Sequence, residues 1–407
     1  MMAAFVLWGG LGRLDAADAA RAAGMIRLPD IVAGGGLLLA AVSWRRRVLR
    51  KPVLQAAIVL SLLLVGGILI GWINGNRLLN ILFEARLIGY MLAGLLVMSD
   101  WSAADIDGAA RLYATVMAGA TLIQFGFLLA GDVGMFLSNT HTGNAFTLWI
   151  PFTRPPAFHL IGVALVLSMT RRGRSKLGLS TWLLAGALLV NQSRTYWVVA
   201  ASVGLGALAL GWMRRRARVL PLLFAAVIGV GLLMIAPVPS QMGRQSIGAL
   251  VIQKFALLLE ERDIASEVIG ARLEENRLML QAATESPAGL LIGKGLGYIY
   301  RDLDLLFART DERERERLAM YGHNTYAWLL LKFGLIGFLM FAGVCARVLA
   351  FARTGGGDAS RFGLALAALL IPSLTLGSLE SPTGAFLFGL LIAGVVAGAR
   401  ENLSFQP

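Results

Sequence analysis

Three residues combine a reactive type with a setting that suits chemistry. Arg194 sits in Asn191-Gln192-Ser193-Arg194-Thr195, a polar turn between two apolar runs with no acidic neighbour in sequence. A guanidinium presents a rigid fork to phosphate oxygens, so this turn reads as an anion site. The competing reading is an interfacial arginine that reaches lipid headgroups. His323 sits in Tyr321-Gly322-His323-Asn324, just before another apolar run. An imidazole moves protons near neutral pH; the competing reading is an ordinary helix start with Asn324 as its cap. Arg272 lies in Gly270-Ala271-Arg272-Leu273-Glu274-Glu275. By composition it is a solvated or locally paired arginine, and Arg277 is equally eligible. Weaker candidates are Glu84 and Arg86, each a group to pair with a neighbouring span, and Lys332, a snorkelling or internally paired lysine. His141, His159, Asp132 and Glu380 are weaker still. Asp302 and Asp304 have the spacing of a sugar-transferase metal motif, but acids at i, i+2 are common on loops. The alternating run Asp311 to Arg317 reads as a solvated helix face.

The elements that must hold these residues are set by composition. Of 407 residues, 57% are hydrophobic and 15% charged, more apolar surface than a soluble core of this size uses. Apolar runs near the ~20 residues that cross a bilayer recur along the chain. We expect eleven spans, at 28–44, 53–73, 80–98, 112–131, 157–170, 178–192, 196–213, 219–236, 325–346, 362–379 and 385–399, with a short twelfth segment at 3–12. Basic residues cluster in alternate short loops: Arg45 to Lys51, Arg111, Arg171 to Lys176, Arg214 to Arg218 and Arg347 to Arg361. The opposite loops hold little beyond Arg77, Arg154 and Arg194. The first set is therefore cytoplasmic, which also accounts for the net charge of +13 without a nucleic-acid partner. The single cysteine, Cys345, permits neither an intrachain disulfide nor a cysteine metal site. No basic segment precedes the first apolar residues, so no cleavable signal peptide is expected.

The expected fold class is all-α: a polytopic membrane bundle of about 12 transmembrane helices with a large, partly helical periplasmic loop. Its parts are an N-terminal transmembrane bundle (1–236), a periplasmic loop subdomain (237–324) and C-terminal transmembrane helices (325–400). The last residues, 401–407, resemble a protease-tag remnant. Within the loop, apolar spacing predicts helices over 245–260, 265–286 and 303–320, with a glycine-rich turn from Gly289 to Gly297. A structured loop of this length points to function. A second external loop, 132–157, holds Trp149, Pro151, Arg154, Pro155 and Pro156 and is placed to line the same entrance.

Residues 323–337, HNTYAWLLLKFGLIG, resemble the signature of the O-antigen ligase and polymerase family of bacterial surface-polysaccharide enzymes. Residues 191–196, NQSRTY, are similar to that family's Ser-Arg turn. Arg272, Pro287 and the glycines 293, 295 and 297 resemble its pattern of arginine, short helix, proline and Gly-x-Gly-x-Gly. The chain departs from it in having Asn276 where the family often has Trp, and in two extra residues between Pro287 and the glycines. The resemblance selects Arg272 over Arg277 and covers about 190–345 by motif. It implies transfer of a glycan from undecaprenyl diphosphate to a hydroxyl acceptor, either lipid A-core or a glycan repeat unit, without metal or other cofactor. The protein is then expected in the bacterial inner membrane, in contact with membrane lipid, with its active site facing the periplasm. His323, Arg194 and Arg272 are the expected catalytic residues, and Asn324, Ser193, Arg277, Arg154 and Tyr321 the expected substrate contacts. Gly334 and Gly337 are expected only to allow close helix packing. Ligase is the preferred activity and polymerase the alternative. From another class, a transporter or lipid flippase predicts charged residues near the middle of several spans.

Overall fold

The computed structural model describes residues 31, 33–38, 51–130, 158–170, 178–190, 237–240, 243–246, 262–300, 324–371, 373, 379 and 381–404. Helices dominate: α1 (Lys51–Ile73), α2 (Leu78–Met98), α3 (Ala103–Ala130), α4 (Phe158–Met169), α5 (Leu179–Val190), α6 (Arg262–Thr284), α7 (Pro287–Ile292), α8 (Thr325–Gly355), α9 (Gly357–Leu370) and α10 (Pro382–Ser404). One antiparallel hairpin joins them, β1 (Pro237–Ser240) paired with β2 (Gly243–Ser246). Strand β2 takes residues 245 and 246, where helical spacing predicted the start of a helix. Its partner, Pro237–Ser240, carries Pro237 and Pro239, which suit a strand edge and not a helix interior. The described residues fall into two compact units, one within 29–106 and 267–407, the other within 107–266.

Among the described residues four helices are long and apolar enough to cross a membrane: Lys51–Ile73, Leu78–Met98, Thr325–Gly355 and Thr383–Glu401. They coincide with the spans expected at 53–73, 80–98, 325–346 and 385–399. Helix α3 begins nine residues ahead of the expected span at 112, because its first turns carry Asp105, Asp107 and Arg111 and so escape an apolar search. Ser102 starts it by accepting from the Asp105 amide at 3.1 Å. The Glu401 side chain of α10 accepts from the Ala103 amide at 3.0 Å. The expected segments 3–12, 196–213, 219–236 and 303–320 lie outside the described residues.

In the first unit α10 forms the middle, with nearly every residue from Ala385 to Ala399 buried. It crosses α2 where Gly94 and Gly389 face each other's backbones. A Cβ on Gly94 would strike the Phe386 carbonyl, and one on Gly389 the Met91 carbonyl. Small residues let membrane helices approach this closely, and dispersion between the backbones then holds them. Phe341 of α8 stacks on Phe388 of α10 at 5.1 Å between ring centroids. Helix α1 lines the unit's edge: Val53, Ala56, Leu60 and Leu63 are buried, while Ile58, Leu62, Val65, Leu69 and Trp72 form an exposed apolar stripe at helical spacing. In water such a stripe would be a liability; against acyl chains it is the natural outer surface.

Candidate functional site

A cluster of buried polar groups joins α2 to α8. Glu84 is the seventh residue of α2 and Lys332 the eighth of α8, so each lies roughly 10 Å in from the start of its helix. Both side chains are fully buried, and Lys332 Nζ stands 2.8 Å from Glu84 Oε1. The same oxygen accepts from Trp328 Nε1 at 3.0 Å. The other carboxylate oxygen accepts from the Gly297 amide, and Lys332 Nζ also donates to the Tyr298 carbonyl. Burying two ions away from water is repaid only when partners of this quality surround both.

Lys332 precedes a break. Gly334 sits at φ 63°, ψ −169° inside α8, which frees carbonyls that an unbroken helix would use internally. The glycine loop after α7 fills the gap. The Lys294 amide donates to the Leu331 carbonyl at 2.8 Å and the Gly295 amide to the Lys332 carbonyl at 3.0 Å. The Leu296 amide donates to the Gly67 carbonyl of α1 at 2.9 Å, and the Gly297 amide reaches Glu84. Four successive N–H groups of the loop are thus spent on three different helices. Gly293, Gly295 and Gly297 all have positive φ, near 80°, and each lies so close to another backbone that a Cβ would collide. Only glycine meets both demands. From the α1–α2 turn, Asn76 Nδ2 donates to the carbonyls of Lys294 at 3.0 Å and Leu296 at 2.8 Å. Asn74 Nδ2 also donates to Lys294, at 3.1 Å. Irregular backbone among apolar helices persists where the protein satisfies it, and this loop meets that condition.

The loop also ties down α6. Beyond Gly297 the chain reaches Tyr300, whose buried hydroxyl donates to the buried Glu275 Oε1 of α6 at 2.9 Å. Ser286 caps α7 by accepting from the Gly289 amide at 3.0 Å. Lys294 pairs with Glu285 at 2.7 Å and lies over the Tyr298 ring. Burial and the nearby Glu285 carboxylate raise the Tyr298 pKa, an effect Lys294 partly offsets. The phenol therefore stays protonated at neutral pH. Among the described residues no three His, Cys, Asp or Glu side chains gather around a common metal position.

A family model described as O-antigen ligase matches residues 179–342, about two fifths of the chain. Residues 179–342 are similar to the O-antigen ligase family. The matched segment contains the glycine loop, Trp328, Lys332 and the Gly334 break, as well as Arg194, Arg272 and His323; Glu84 lies outside it. Compared with curated proteins, the chain matches none. The O-antigen ligase match and the apolar helices together support a multi-pass membrane protein with a ligase- or polymerase-type segment.

The expected site residues fare differently. Asn324 is the N-cap of α8, its Oδ1 accepting from the amides of Tyr326 at 3.0 Å and Ala327 at 3.2 Å. Arg272 is in α6, three residues before Glu275. Arg277 is exposed on the same helix and pairs with Glu274 at 3.3 Å. His323, Arg194, Ser193, Arg154 and Tyr321 lie outside the described residues. Two residues ranked low in sequence turn out central. Glu84 and Lys332 are each other's partners, and the signal was available: opposite charges inside two apolar runs ask for each other. Gly334 was expected to serve packing alone, yet it breaks a helix and exposes the carbonyls on which the loop docks.

Proposed function

We propose that this protein transfers a glycan from undecaprenyl diphosphate to a hydroxyl acceptor at the periplasmic face of the bacterial inner membrane. The preferred acceptor is the lipid A-core, which makes it an O-antigen ligase. The observation carrying the reading is the O-antigen ligase family match across 179–342, which spans Arg194, Arg272 and His323 in one segment. Arg194 and Arg272 hold the diphosphate leaving group as its charge builds in the transition state. His323 takes the proton of the acceptor hydroxyl. Asn324, Ser193, Arg277, Arg154 and Tyr321 contact the substrates. The diphosphate departs readily, so the transfer uses neither a nucleotide sugar nor a cofactor. Apolar spans guide the polyprenyl tail laterally and keep the reacting carbon at the interface.

Polymerisation of repeat units is the second reading, favoured by the same family match. Transport draws support from the Glu84–Lys332 pair within the spans, but both groups are held by fixed protein partners. Purified protein supplied with a lipid-diphosphate glycan, and with either core lipid or excess donor, decides among the three. Glycan on core lipid identifies a ligase, longer lipid-linked glycan a polymerase, and neither product removes the enzyme reading. His323→Ala should fold and lose transfer; unaltered transfer by that variant would take the imidazole out of the mechanism.

A further inference from the structure

A continuous chain of hydrogen bonds runs through the first unit, and the proposed chemistry does not use it. It starts at the Glu84–Lys332 pair, passes through the glycine loop, and ends at the Tyr300–Glu275 hydrogen bond on α6. We propose that Tyr300 and Glu275, backed by Glu84 and Lys332, are positioning residues that fix α6 and thereby set where Arg272 stands. This rests on the role given to Arg272 above.

Four observations carry it. First, the anchor is deep: Glu84, Trp328 and Lys332 are fully buried, and Glu84 Oε1 is bonded to both of the others. Second, the loop is held at each of its amides from 294 to 297, so displacement at one end is not absorbed along the way. Third, Tyr300 is fully buried and Glu275 nearly so, and their bond joins loop to helix directly. Fourth, position 272 precedes 275 by three residues, which makes them neighbours on the surface of α6. A helix pinned at Glu275 carries residue 272 at a fixed offset from the pin. Helix α6 exposes Leu273, Glu274, Arg277 and Leu280 and buries Met279, Ala282 and Ala283 on the other side; the Tyr300–Glu275 bond adds a directional tie to that apolar packing. Proximity effects are steep: a displacement of about 1 Å at a charge-stabilising group costs about 100-fold in rate.

The test uses the full chain, purified and reconstituted with a lipid-diphosphate glycan donor and core lipid acceptor. Tyr300→Phe deletes one hydroxyl and keeps the buried ring. We expect kcat to fall by about 10- to 100-fold with donor KM within about twofold, the pattern of an interaction made only in the transition state. Amide hydrogen exchange across 262–284 should quicken, while exchange across 325–355 stays as in the parent. Should Tyr300→Phe fail to fold, Trp328→Phe removes one donor from Glu84 at the far end of the same connection and should give quicker exchange across 262–284 with a smaller loss of kcat at unchanged donor KM. Faster exchange with unchanged kcat would overturn the positioning role. Unchanged exchange would show that the hydroxyl does not pin α6, which overturns it as well. A parent protein that makes no product would defeat the transferase reading and this one with it, and the exchange arm would tell that failure apart from a missing pin.

Discussion

Among the ion pairs of the described residues, two have similar length and opposite character. Glu84–Lys332 is 2.8 Å long with both side chains fully buried. Glu274–Arg277 is 3.3 Å long, with side chains 47% and 69% exposed. The exposed pair sits in high dielectric, where Coulomb attraction barely exceeds the entropy lost in holding two long side chains. The buried pair cannot trade its partner for water. Each ion depends on the other and on Trp328, Gly297 and the Tyr298 carbonyl. The lesson is that ion-pair length says little; what the environment offers in exchange decides whether a pair shapes the fold or only decorates it.

This contrast can be broken at its strong end first. Lys332→Met leaves Glu84 buried with its principal partner gone, and should cost about 3–5 kcal/mol of stability. Loss of well-folded protein in detergent, read by thermal unfolding, is the expected result. The double variant Glu84→Leu with Lys332→Met should recover part of that loss, since a matched apolar pair leaves no orphan charge. A Lys332→Met protein as stable as the parent would erase the distinction between the two pairs. Gly334→Ala comes next. It forces a side chain into a positive-φ position and drives its Cβ into the Leu291 carbonyl, for an expected loss of about 1–3 kcal/mol. Asn324→Ala removes the α8 cap and should cost about 1 kcal/mol, measured by the same unfolding experiment. A transfer loss much larger than that stability loss would support a substrate contact at Asn324. Arg277→Ala is the smallest: at the exposed end, stability should move by no more than about 0.5 kcal/mol. If Arg277 touches substrate as proposed, transfer falls nonetheless, and an unchanged transfer rate removes it from the site.

How much of this was readable in advance depends on the range of the interaction. The spans were legible because a bilayer imposes its thickness on every crossing segment, so 53–73, 80–98, 325–346 and 385–399 announced themselves by length alone. The Asn324 cap was legible because capping is decided within three residues. The Gly334 break was not, since LLLKFGLIG reads as an uninterrupted apolar helix and nothing local reveals that residues 294 and 295 arrive to bond its carbonyls. Glu84 and Lys332 were each suspected of having a partner, but no periodicity joins residues in distant helices. The three loop glycines were visible as a pattern; its cause, positive φ combined with backbone contact on several sides, is a three-dimensional fact. The start of α3 was missed because hydropathy finds the membrane-like portion of a helix and not its polar first turns.

Glu84 also has a history imposed by the order of synthesis. Its bonding partners lie 213 residues downstream at Gly297 and 244 downstream at Trp328. At a translation rate of about 5–20 residues per second, α2 waits for roughly 10 to 50 s before they emerge from the ribosome. During that interval an ionisable carboxyl must be sheltered by lipid headgroups, by water or by the insertion machinery. Helices α1 and α2 are therefore committed early to a shape that only the far half of the polypeptide can complete, and a stall before Gly297 leaves an acid-bearing hairpin without its partners.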